Sequence, residues 1–485
     1  MKSITDMESL AKRRGIFWQS SEIYGGLSGF YEYGHIGTLL KRKIENIWRQ
    51  YFLNLDDNFF EIEPSSIMPE KVFKASGHLD NFVDPIAKCK KCGTEHRADH
   101  IMEEFLKENF EGMTAEQLTA LIKKHNVKCP KCKGALGNVD VFNMTFPINL
   151  GVKSDTTAYL RPETAQGVYV NFLQQFNVTR KKLPLGLGII GRAFRNEISP
   201  RQLIIRMREF TQAELQIFID PSSIDKHDKW DIVKDYELIL KPVKNKKAIK
   251  MTASDAVKKL KLPKFYVWYL ARTQEFFLDV LGFPENKFRI RELNDEERAF
   301  YNKYHWDVEI DVESLGGFRE IGGVHYRTDH DLSGHEKISK KSQHVSVDGK
   351  KFIPNVLEVS MGVDRILYSL IDIGYTEEND RSYIKLTPHL SPFMAGVFPL
   401  VKKEGMPEKA KEVYNSLRCC FDVFYDESAS IGRRYARADE IGTAFCITID
   451  GDTMKNDTVT VRERDSTDQR TVKIDELEVF LQEHL

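Results

Sequence analysis

The sequence has no long apolar run, no excess of charge of either sign, and no repeated or low-complexity segment. No apolar stretch approaches the roughly 18 residues that a membrane-spanning helix needs, so we expect no membrane partner. Residues 1–14 are polar and of mixed charge, without the apolar region of a secretory signal, which predicts a cytoplasmic protein. The formal net charge of −1 argues against a non-specific DNA-binding protein, but it leaves room for a partner held by local patches of charge.

The length and the apolar pattern predict several globular domains. A chain of 485 residues is long enough for two to four domains with a large buried core. Apolar side chains recur at helical intervals over residues 36–52, and residues 59–64 after them predict a short strand that ends at a proline. After Pro388, strand-like apolar runs alternate with helical segments, which predicts a separate α/β domain of about 100 residues.

Cysteine is scarce, and four of the seven cysteines form two Cys-x-x-Cys pairs. In a chain without a secretory signal, two such pairs favour a metal site over disulfides, and tetrahedral thiolate coordination favours structural Zn²⁺. Two alternatives stay open, because His96 or His100 could replace a thiol and because the cysteines could be unliganded. The four predicted ligands are Cys89, Cys92, Cys129 and Cys132.

Two other unusual compositions give predictions about burial. Residues 241–264 contain nine lysines and a single acid, Asp255, which predicts an exposed insertion. Cys419, Cys420 and Cys446 lie in apolar runs and are predicted to be buried thiols.

A cluster of arginines precedes a strand that is polar on one side. If residues 209–219 form a strand, Gln212, Glu214 and Gln216 share one face and the apolar residues between them share the other. The polar row would then face a cavity while the other side packs on the core. Guanidinium groups pair phosphate oxygens bidentately, so arginines beside such a cavity are typical of a polyphosphate site, although a solvated hairpin is the alternative. The arginines are Arg195, Arg201, Arg206 and Arg208.

Residues 354–371 predict a strand followed directly by a helix. The strand places Glu358 and Ser360 on one face, and Arg365 falls in the first turn of the helix. A cation there opposes the helix dipole, so a bound phosphate would account for it, whereas an exposed arginine is the alternative. Glu163, just before another predicted helix, could serve as its cap.

These segments together resemble the signature motifs of class II aminoacyl-tRNA synthetases. Residues 191–218 are similar to motif 2, residues 354–370 to motif 3, and the helix and strand of residues 36–64 to motif 1, the dimer-forming element. Residues 22–29 (EIYGGLSG), 160–167 (LRPETAQG) and 194–201 (FRNEISPR) resemble the dimeric glycyl-tRNA synthetases. The resemblance implies an α+β core with a mostly antiparallel sheet flanked by helices, a C-terminal α/β anticodon-binding domain, and a homodimer.

The resemblance also implies the chemistry, which is ATP-dependent formation of glycyl-adenylate and transfer of glycine to the 3′ end of its tRNA. Arg195 would hold the α-phosphate and Glu197 would lie on the adenine side, while Arg365 would take an outer phosphate and complete the catalytic set. Orientation and neutralisation of charge supply most of the acceleration in such a reaction, and Mg²⁺ would assist. The implied ATP-binding residues are Arg195, Asn196, Glu197, Arg206, Phe210, Glu320, Ile321 and Arg365.

For the amino acid, the resemblance implies a site made largely of acids. Carboxylates that converge on the glycine ammonium leave the methyl group of alanine only charged, hydrated neighbours to displace, which rejects alanine. The implied glycine-binding residues are Arg97, Glu163, Glu214, Arg327, Glu358 and Ser360. The sequence departs from the family pattern at His35, where the family usually has proline, and over residues 322–326, just before Arg327.

The resemblance divides the chain into residues 1–85 with motif 1, 86–140 as a zinc-binding insertion, 141–385 with motifs 2 and 3, and 388–485 as the anticodon-binding domain. Residues 220–265 would be a basic insertion, in contact with the acceptor arm of tRNA or merely solvated. Four arginines near the C-terminus could contact the anticodon bases, although solvated loops are the alternative. They are Arg433, Arg434, Arg462 and Arg464.

Two other functions are compatible with this scaffold. A catalytically silent paralogue that binds nucleic acid would be expected to lack the phosphate arginines, yet Arg195, Arg206 and Arg365 are all present. A synthetase for another small amino acid would keep them.

Overall fold

A computed structural model describes residues 3–106, 110, 113–152, 156–198, 200, 202–295, 297–298, 301–378 and 380–485. Its helices are α1 (Ile4–Arg13), α2 (His35–Phe52), α3 (Glu70–Ala75), α4 (His78–Asn81), α5 (Ala98–Leu106), α6 (Ala115–Lys124), α7 (Ala165–Val178), α8 (Trp230–Val233), α9 (Ala253–Leu260), α10 (Lys264–Glu275), α11 (His330–Ser339), α12 (Val363–Gly374), α13 (Met406–Leu417), α14 (Ile431–Glu440), α15 (Thr453–Asn456) and α16 (Leu477–Gln482). Within these ranges, every helix is too short or too polar to span a bilayer.

The strands fall into three stretches of the chain. The first stretch has β1 (Phe17–Gln19), β2 (Tyr31–Tyr33), β3 (Phe59–Glu61), β4 (Ile67–Pro69), β5 (Val83–Cys89), β6 (Glu95–Arg97), β7 (Leu136–Asn143), β8 (Phe146–Leu150) and β9 (Thr156–Leu160). The second has β10 (Leu185–Phe194), β11 (Glu209–Ile219), β12 (Glu237–Lys241), β13 (Ile249–Thr252), β14 (Phe288–Glu292), β15 (Tyr304–Val312), β16 (Gly317–Thr328), β17 (Val345–Val347), β18 (Lys350–Phe352), β19 (Asn355–Gly362), β20 (Tyr375–Glu378) and β21 (Arg381–Ile384). The third has β22 (Ala395–Pro399), β23 (Val423–Tyr425), β24 (Phe445–Ile449), β25 (Thr458–Glu463) and β26 (Gln469–Lys473).

One nine-stranded sheet, in the order β13-β12-β14-β15-β16-β19-β11-β10-β3, forms the centre of the molecule. All its neighbouring strands are antiparallel except the pairs β3/β10 and β12/β14. The two-residue period of β11 gives one face to Ala213, Leu215 and Ile217, all fully buried, as expected for strands that pack one side on a core. The predicted α+β class with a mostly antiparallel sheet is confirmed.

The predicted motif 1 helix is α2, which begins at His35 and ends at Phe52. Buried Ile36, Leu40, Ile44 and Trp48 recur every four residues, so they form one stripe along the helix. This stripe contributes to the same core as α12. Helix α2 therefore braces the strand-to-helix element that carries the predicted motif 3.

Two smaller sheets have cores of their own. The sheet β6-β5-β7, together with α5 and α6, surrounds a core that includes Cys89 and Cys129. The sheet β23-β22-β24-β25-β26 carries the C-terminal core, so the predicted change to α/β structure after Pro388 is confirmed. The division of the chain into domains stays a prediction.

The burial predictions are confirmed only in part. Most lysines of segment 241–264 are exposed as predicted, but β12 and β13 form one edge of the central sheet, and Ala253 and Ala256 of α9 are buried. Cys446 is buried in β24 as predicted, but Cys419 and Cys420 are exposed, since they lie in the short turn between α13 and the buried Phe421.

Candidate active site

The candidate site lies on one face of the three adjacent strands β11, β19 and β16. In the antiparallel register, Glu214 pairs with Ser360, Gln216 with Glu358, and Glu358 with His325. Directly paired residues point to the same side of a sheet, so these side chains form a polar patch across three strands. The predicted alternation of β11 is therefore the feature that aligns the site.

An open cleft adjoins this patch at the N-terminal end of β11. We call it the arginine cleft, because Arg195, Arg206 and Arg365 line it. The predicted residues Glu197, Phe210, Glu320 and Ile321 also line it, together with Gln212, Gly323, His325 and Ser360. The structure thus brings nearly all the predicted ATP-binding residues to one cavity.

Arg195 presents its guanidinium to the cleft with little to hold it. Its Nε donates to the Pro162 carbonyl at 3.0 Å, and its guanidinium carbon lies 5.2 Å from the Phe210 ring centre and 5.4 Å from the Phe82 ring centre. Among the described residues, no carboxylate forms an ion pair with it. Arg195 is therefore the guanidinium of the cleft that is left for an anion.

The other two arginines are tethered. Arg206 forms an ion pair of 2.6 Å with Glu197, and Arg365 donates to the Ile205 carbonyl at 3.1 Å and forms a 3.0 Å ion pair with Glu320. Both pairs keep the guanidiniums at the cleft wall. The predicted arginine cluster also included Arg201 and Arg208. Of these, Arg201 lies outside the described residues.

Asp364 connects α12, which belongs to the predicted motif 3, to β11 of the predicted motif 2, and no local sequence pattern indicates this contact. This buried carboxylate accepts a hydrogen bond of 2.5 Å from the Thr211 backbone N–H and another from the Tyr33 hydroxyl. Lys41 lies 3.6 Å from it. The start of α12 is thereby fixed to β11, to the end of β2 and to α2.

Beside the cleft lies a buried group that we call the acid cluster, namely Glu163, Glu214, Asp331 and Glu358 with Arg327. Arg327 donates to Asp331 at 2.8 Å and to Glu358 at 3.1 Å, and its distance to Glu163 is 3.4 Å. Three carboxyl groups thus surround a single guanidinium, and Glu214 lies beside them. Such an excess of buried acid favours a cationic ligand.

Two glutamines complete this network. Gln216 donates to Glu358 at 2.7 Å, and Gln166 donates to Asp331 at 2.8 Å and to Glu163 at 2.9 Å. Glu163 is therefore part of a buried network. It does not cap α7, because the residue that directly precedes this helix is Thr164.

The acids of the cluster are not electrostatically equivalent. Burial and, after it, the Glu358 and Glu163 carboxylates raise the pKa of Glu214 to about 8. Burial would also raise the pKa of Glu163 and of Glu358, but the Arg327 guanidinium with His78 or His325 lowers both below their usual value. At neutral pH, Glu214 is thus the acid that would ionise when a cation arrives.

Ser360 and His325 connect the acid cluster to the arginine cleft, which both residues line. The Ser360 hydroxyl donates to Glu214 at 3.0 Å, and His325 Nδ1 lies 2.5 Å from a Glu358 oxygen. A ligand with an anionic and a cationic end would fit across this junction.

Arg97 is the predicted glycine contact that the structure does not bring to the acid cluster. Its ion pairs are with Asp99 and Asp84, and it lines a separate groove with His100 and Arg206. Asp331 and His325 were missed as members of the site because their partners lie on other elements of the chain.

The four predicted metal ligands do come together. Their sulfur atoms all lie within 4.8 Å of one another, with Cys89 Sγ 3.5 Å from Cys132 Sγ and Cys92 Sγ 3.8 Å from Cys129 Sγ. Sulfurs at about 2.3 Å from a tetrahedral Zn²⁺ are about 3.8 Å apart, so the set fits this ion. His96 Nε2 lies 3.4 Å from Cys129 Sγ, beside the four thiols.

Three of the four arginines predicted to contact the anticodon are buried and have partners within the domain. Arg462 pairs with both oxygens of Asp439 at 2.9 and 3.0 Å, while Arg434 and Arg464 donate to backbone carbonyls. In this conformation only Arg433 is exposed. The sequence could not distinguish them, because a pairing between α14 and β25 leaves no local pattern.

Comparison with known families agrees with this geometry. Residues 150–373 match the family model described as tRNA synthetase class II core domain (G, H, P, S and T), and residues 395–484 match the anticodon binding domain. Among solved structures, prolyl-tRNA synthetase from Cryptosporidium parvum has a TM-score of 0.59 at 13% identity, covering 99% of this chain and 77% of its own. A structure described as the RNA binding domain of threonyl-tRNA synthetase from the same organism has a TM-score of 0.61 at 17% identity, with 99% and 98% covered. At these identities the likeness concerns the fold.

Curated relatives are much closer in sequence. The glycine–tRNA ligase of Thermococcus sibiricus is 41% identical, and that of Pyrococcus furiosus is 40% identical, each over 98% of both chains. The glycine–tRNA ligase of Methanocaldococcus jannaschii is 40% identical over the same shares. With such identity along nearly its whole length, and with a class II core and an anticodon-binding domain in place, this chain belongs to the glycine–tRNA ligase family.

Proposed function

We propose that the chain activates glycine with ATP to form glycyl-adenylate with release of pyrophosphate, and then transfers glycine to the 3′ end of its tRNA with release of AMP. The observation that carries the proposal is the junction of an arginine cleft with a buried acid cluster. A triphosphate needs the first, an amino-acid ammonium needs the second, and the glycine carboxylate must lie between them to attack the α-phosphate.

The arginine cleft would position ATP. Arg195, which has no carboxylate partner among the described residues, would hold the α-phosphate during in-line attack, and Phe210 would stack on adenine. Arg206 and Arg365 would turn from Glu197 and Glu320 towards the outer phosphates, because bidentate phosphate contacts are stronger than partly exposed ion pairs. Mg²⁺, which class II synthetases use, would neutralise phosphate charge.

The acid cluster would hold the ammonium of glycine. Glu214 and Glu358, which meet Ser360 and His325 at the cleft, are the nearest acids to the junction, while Glu163 and Arg327 support them from behind. A side chain on the amino acid would meet charged groups whose hydrogen bonds are already satisfied, so alanine would be rejected.

ATP–pyrophosphate exchange measured over a panel of small amino acids tests this function. We expect exchange with glycine at a kcat/KM at least about 100-fold above that with alanine or serine. Exchange with none of them would indicate a silent paralogue, and a preference for another amino acid would indicate a different synthetase.

We further propose that Cys89, Cys92, Cys129 and Cys132 bind a structural Zn²⁺. The support is that the four sulfur atoms all lie within 4.8 Å of one another. Metal analysis should find a zinc ion that Cys132→Ser loses and that the exposed control Cys419→Ser keeps. Equal zinc in both variants would contradict the site.

The same family likeness supports four further proposals. The chain would form a homodimer through α2 and β3, where Phe60 is 40% exposed at the edge of the sheet. Residues 388–485 would bind tRNA, the protein would be cytoplasmic, and the domains would be divided at residues 85, 140 and 385. Light scattering of the purified chain tests the first, since a monomer would contradict it.

A further inference from the structure

A second group of metal-ligating side chains lies at the edge of the arginine cleft. His305, Asp307 and His325 each offer a ligand atom, and the three atoms lie within 4.8 Å of one another. His305 Nε2 is 3.0 Å from an Asp307 oxygen, and the two imidazole centres are 4.1 Å apart. Their side chains are only 8 to 14% exposed. Two imidazoles and a carboxylate at such spacing are a common donor set for first-row divalent metals.

The register of β15 and β16 creates this group. His305 is paired directly with His325, and Asp307 is paired with Gly323. A Cβ added to Gly323 would lie 2.4 Å from His325 Nε2, so only glycine leaves room for the imidazole there. His325 Nε2 therefore lies over the position opposite Asp307, next to the other two donors.

Each donor also has a partner on its far side. His325 Nδ1 is held by Glu358 at 2.5 Å, and the second oxygen of Asp307 lies 3.5 Å from Arg291. His305 Nδ1 lies 3.0 Å from Asn302 Nδ2. Metal-binding histidines usually donate their other ring N–H to a carboxylate or carbonyl, which fixes the tautomer that points a lone pair at the ion.

Asn302 supplies an independent sign. It is 6% exposed, and within the described chain its Oδ1 is buried without a hydrogen-bond partner. Amide oxygen and nitrogen are interchangeable by a simple flip. After that flip Oδ1 would accept from His305 Nδ1–H, which would free His305 Nε2 for a metal.

We propose that His305 Nε2, the Asp307 carboxylate and His325 Nε2 form a binding site for a divalent transition metal of the Zn²⁺ class. Three protein ligands leave a further coordination position towards the arginine cleft, which His325 lines. Because His325 would then donate through Nδ1 to Glu358, an ion here would also fix the orientation of that acid.

Cobalt binding tests the site without reference to aminoacylation, so failure of the proposed function would not affect the result. The full-length chain, with Zn²⁺ on its four cysteines, is dialysed against Co²⁺, and bound metal and the visible spectrum are recorded. We expect one cobalt ion per chain in addition to the zinc, with no thiolate-to-cobalt charge-transfer band.

His305→Gln and Asp307→Asn should each lower cobalt affinity at least about 10-fold. The exposed His344→Gln serves as the matched control and should bind as the parent does. Thermal unfolding shows that each variant is folded. No cobalt beyond the zinc in the parent chain, or equal binding by the parent and both site variants, would overturn the proposal.

Discussion

The arginine cleft and the acid cluster lie on the same face of one sheet, yet they are built in opposite ways. Along β11, Phe210 and Gln212 line the cleft, and two residues further on Glu214 is already in the buried cluster. Arg195 in the cleft makes one side-chain hydrogen bond, to a backbone carbonyl, in the described chain. Arg327 in the cluster contacts three carboxylates.

This difference matches the ligands that each region is proposed to bind. A triphosphate brings its own charge and needs cations that can move, so partly exposed arginines are sufficient. An ammonium without a side chain offers little surface, so its site must be shaped in advance by groups that hold one another. Mutations should therefore distinguish the mobile arginines of the arginine cleft from the fixed side chains of the acid cluster.

The largest effect is expected from Arg195→Ala. Because the guanidinium has few structural contacts, its loss should leave thermal stability within about 0.5 kcal/mol. The kcat/KM for glycine-dependent ATP–pyrophosphate exchange should fall about 10²- to 10³-fold, as for other single donors to a developing charge. Arg418→Ala, an exposed arginine of the C-terminal domain, is the control. Unchanged exchange would show that the cleft does not hold the reacting phosphate.

Glu358→Gln sharpens the comparison from the other side. Removing one charge from the acid cluster should raise the glycine KM about 10- to 100-fold while the ATP KM changes less than about threefold, since charged hydrogen bonds contribute about 1.5–3 kcal/mol. Steady-state kinetics with each substrate varied in turn measures both constants.

Asp331→Asn is the matched control for that variant. It also removes a carboxylate from Arg327, but Asp331 lies behind the junction with the cleft. We expect a smaller rise in glycine KM than for Glu358→Gln. If both variants raise the glycine KM equally, both acids act only by holding Arg327. If the ATP KM rises as much as the glycine KM, the arginine cleft and the acid cluster function as one site.

The sequence predicted the open region and the outline of the buried one, but not the partners within it. Alternation along β11 and β19 is local, so the faces of Glu214, Glu358 and Ser360 followed from spacing alone. Asp364 is different, because Thr211, Tyr33 and Lys41 are brought close to it only by the packing of separate elements. Asp331 lies four residues from Arg327, but its contact with Gln166 likewise depends on packing. The same limit made Arg434 and Arg462 look like ligands for RNA, although Arg462 forms an ion pair with Asp439 and Arg434 donates to backbone carbonyls inside the domain.

The pH dependence of glycine binding gives the next largest effect. Since burial and neighbouring acids raise the pKa of Glu214 to about 8, this carboxyl is mostly protonated at pH 7 and must lose its proton to bind an ammonium. The glycine KM should therefore fall as pH rises from 6.5 to 8.5, by up to about tenfold per unit below the pKa, while the ATP KM stays flat. Glu214→Gln should have a high and pH-independent glycine KM; a pH-dependent KM in this variant would assign the titration to another group.

Ser360→Ala tests how much the Ser360 hydroxyl lowers the pKa of Glu214. The hydroxyl donates to Glu214 and lowers the pKa of its carboxyl, so its removal should shift the fall in glycine KM to higher pH. At pH 7 the KM should rise about two- to fivefold, as for loss of one neutral hydrogen bond, and above the pKa the variant and parent should converge. The exposed Ser466→Ala controls for loss of a hydroxyl elsewhere. A rise in glycine KM of the same size at every pH would instead mean that Ser360 contacts glycine directly. The acid cluster would then bind its ligand through direct contacts, as the arginine cleft does, and less through its network of paired acids.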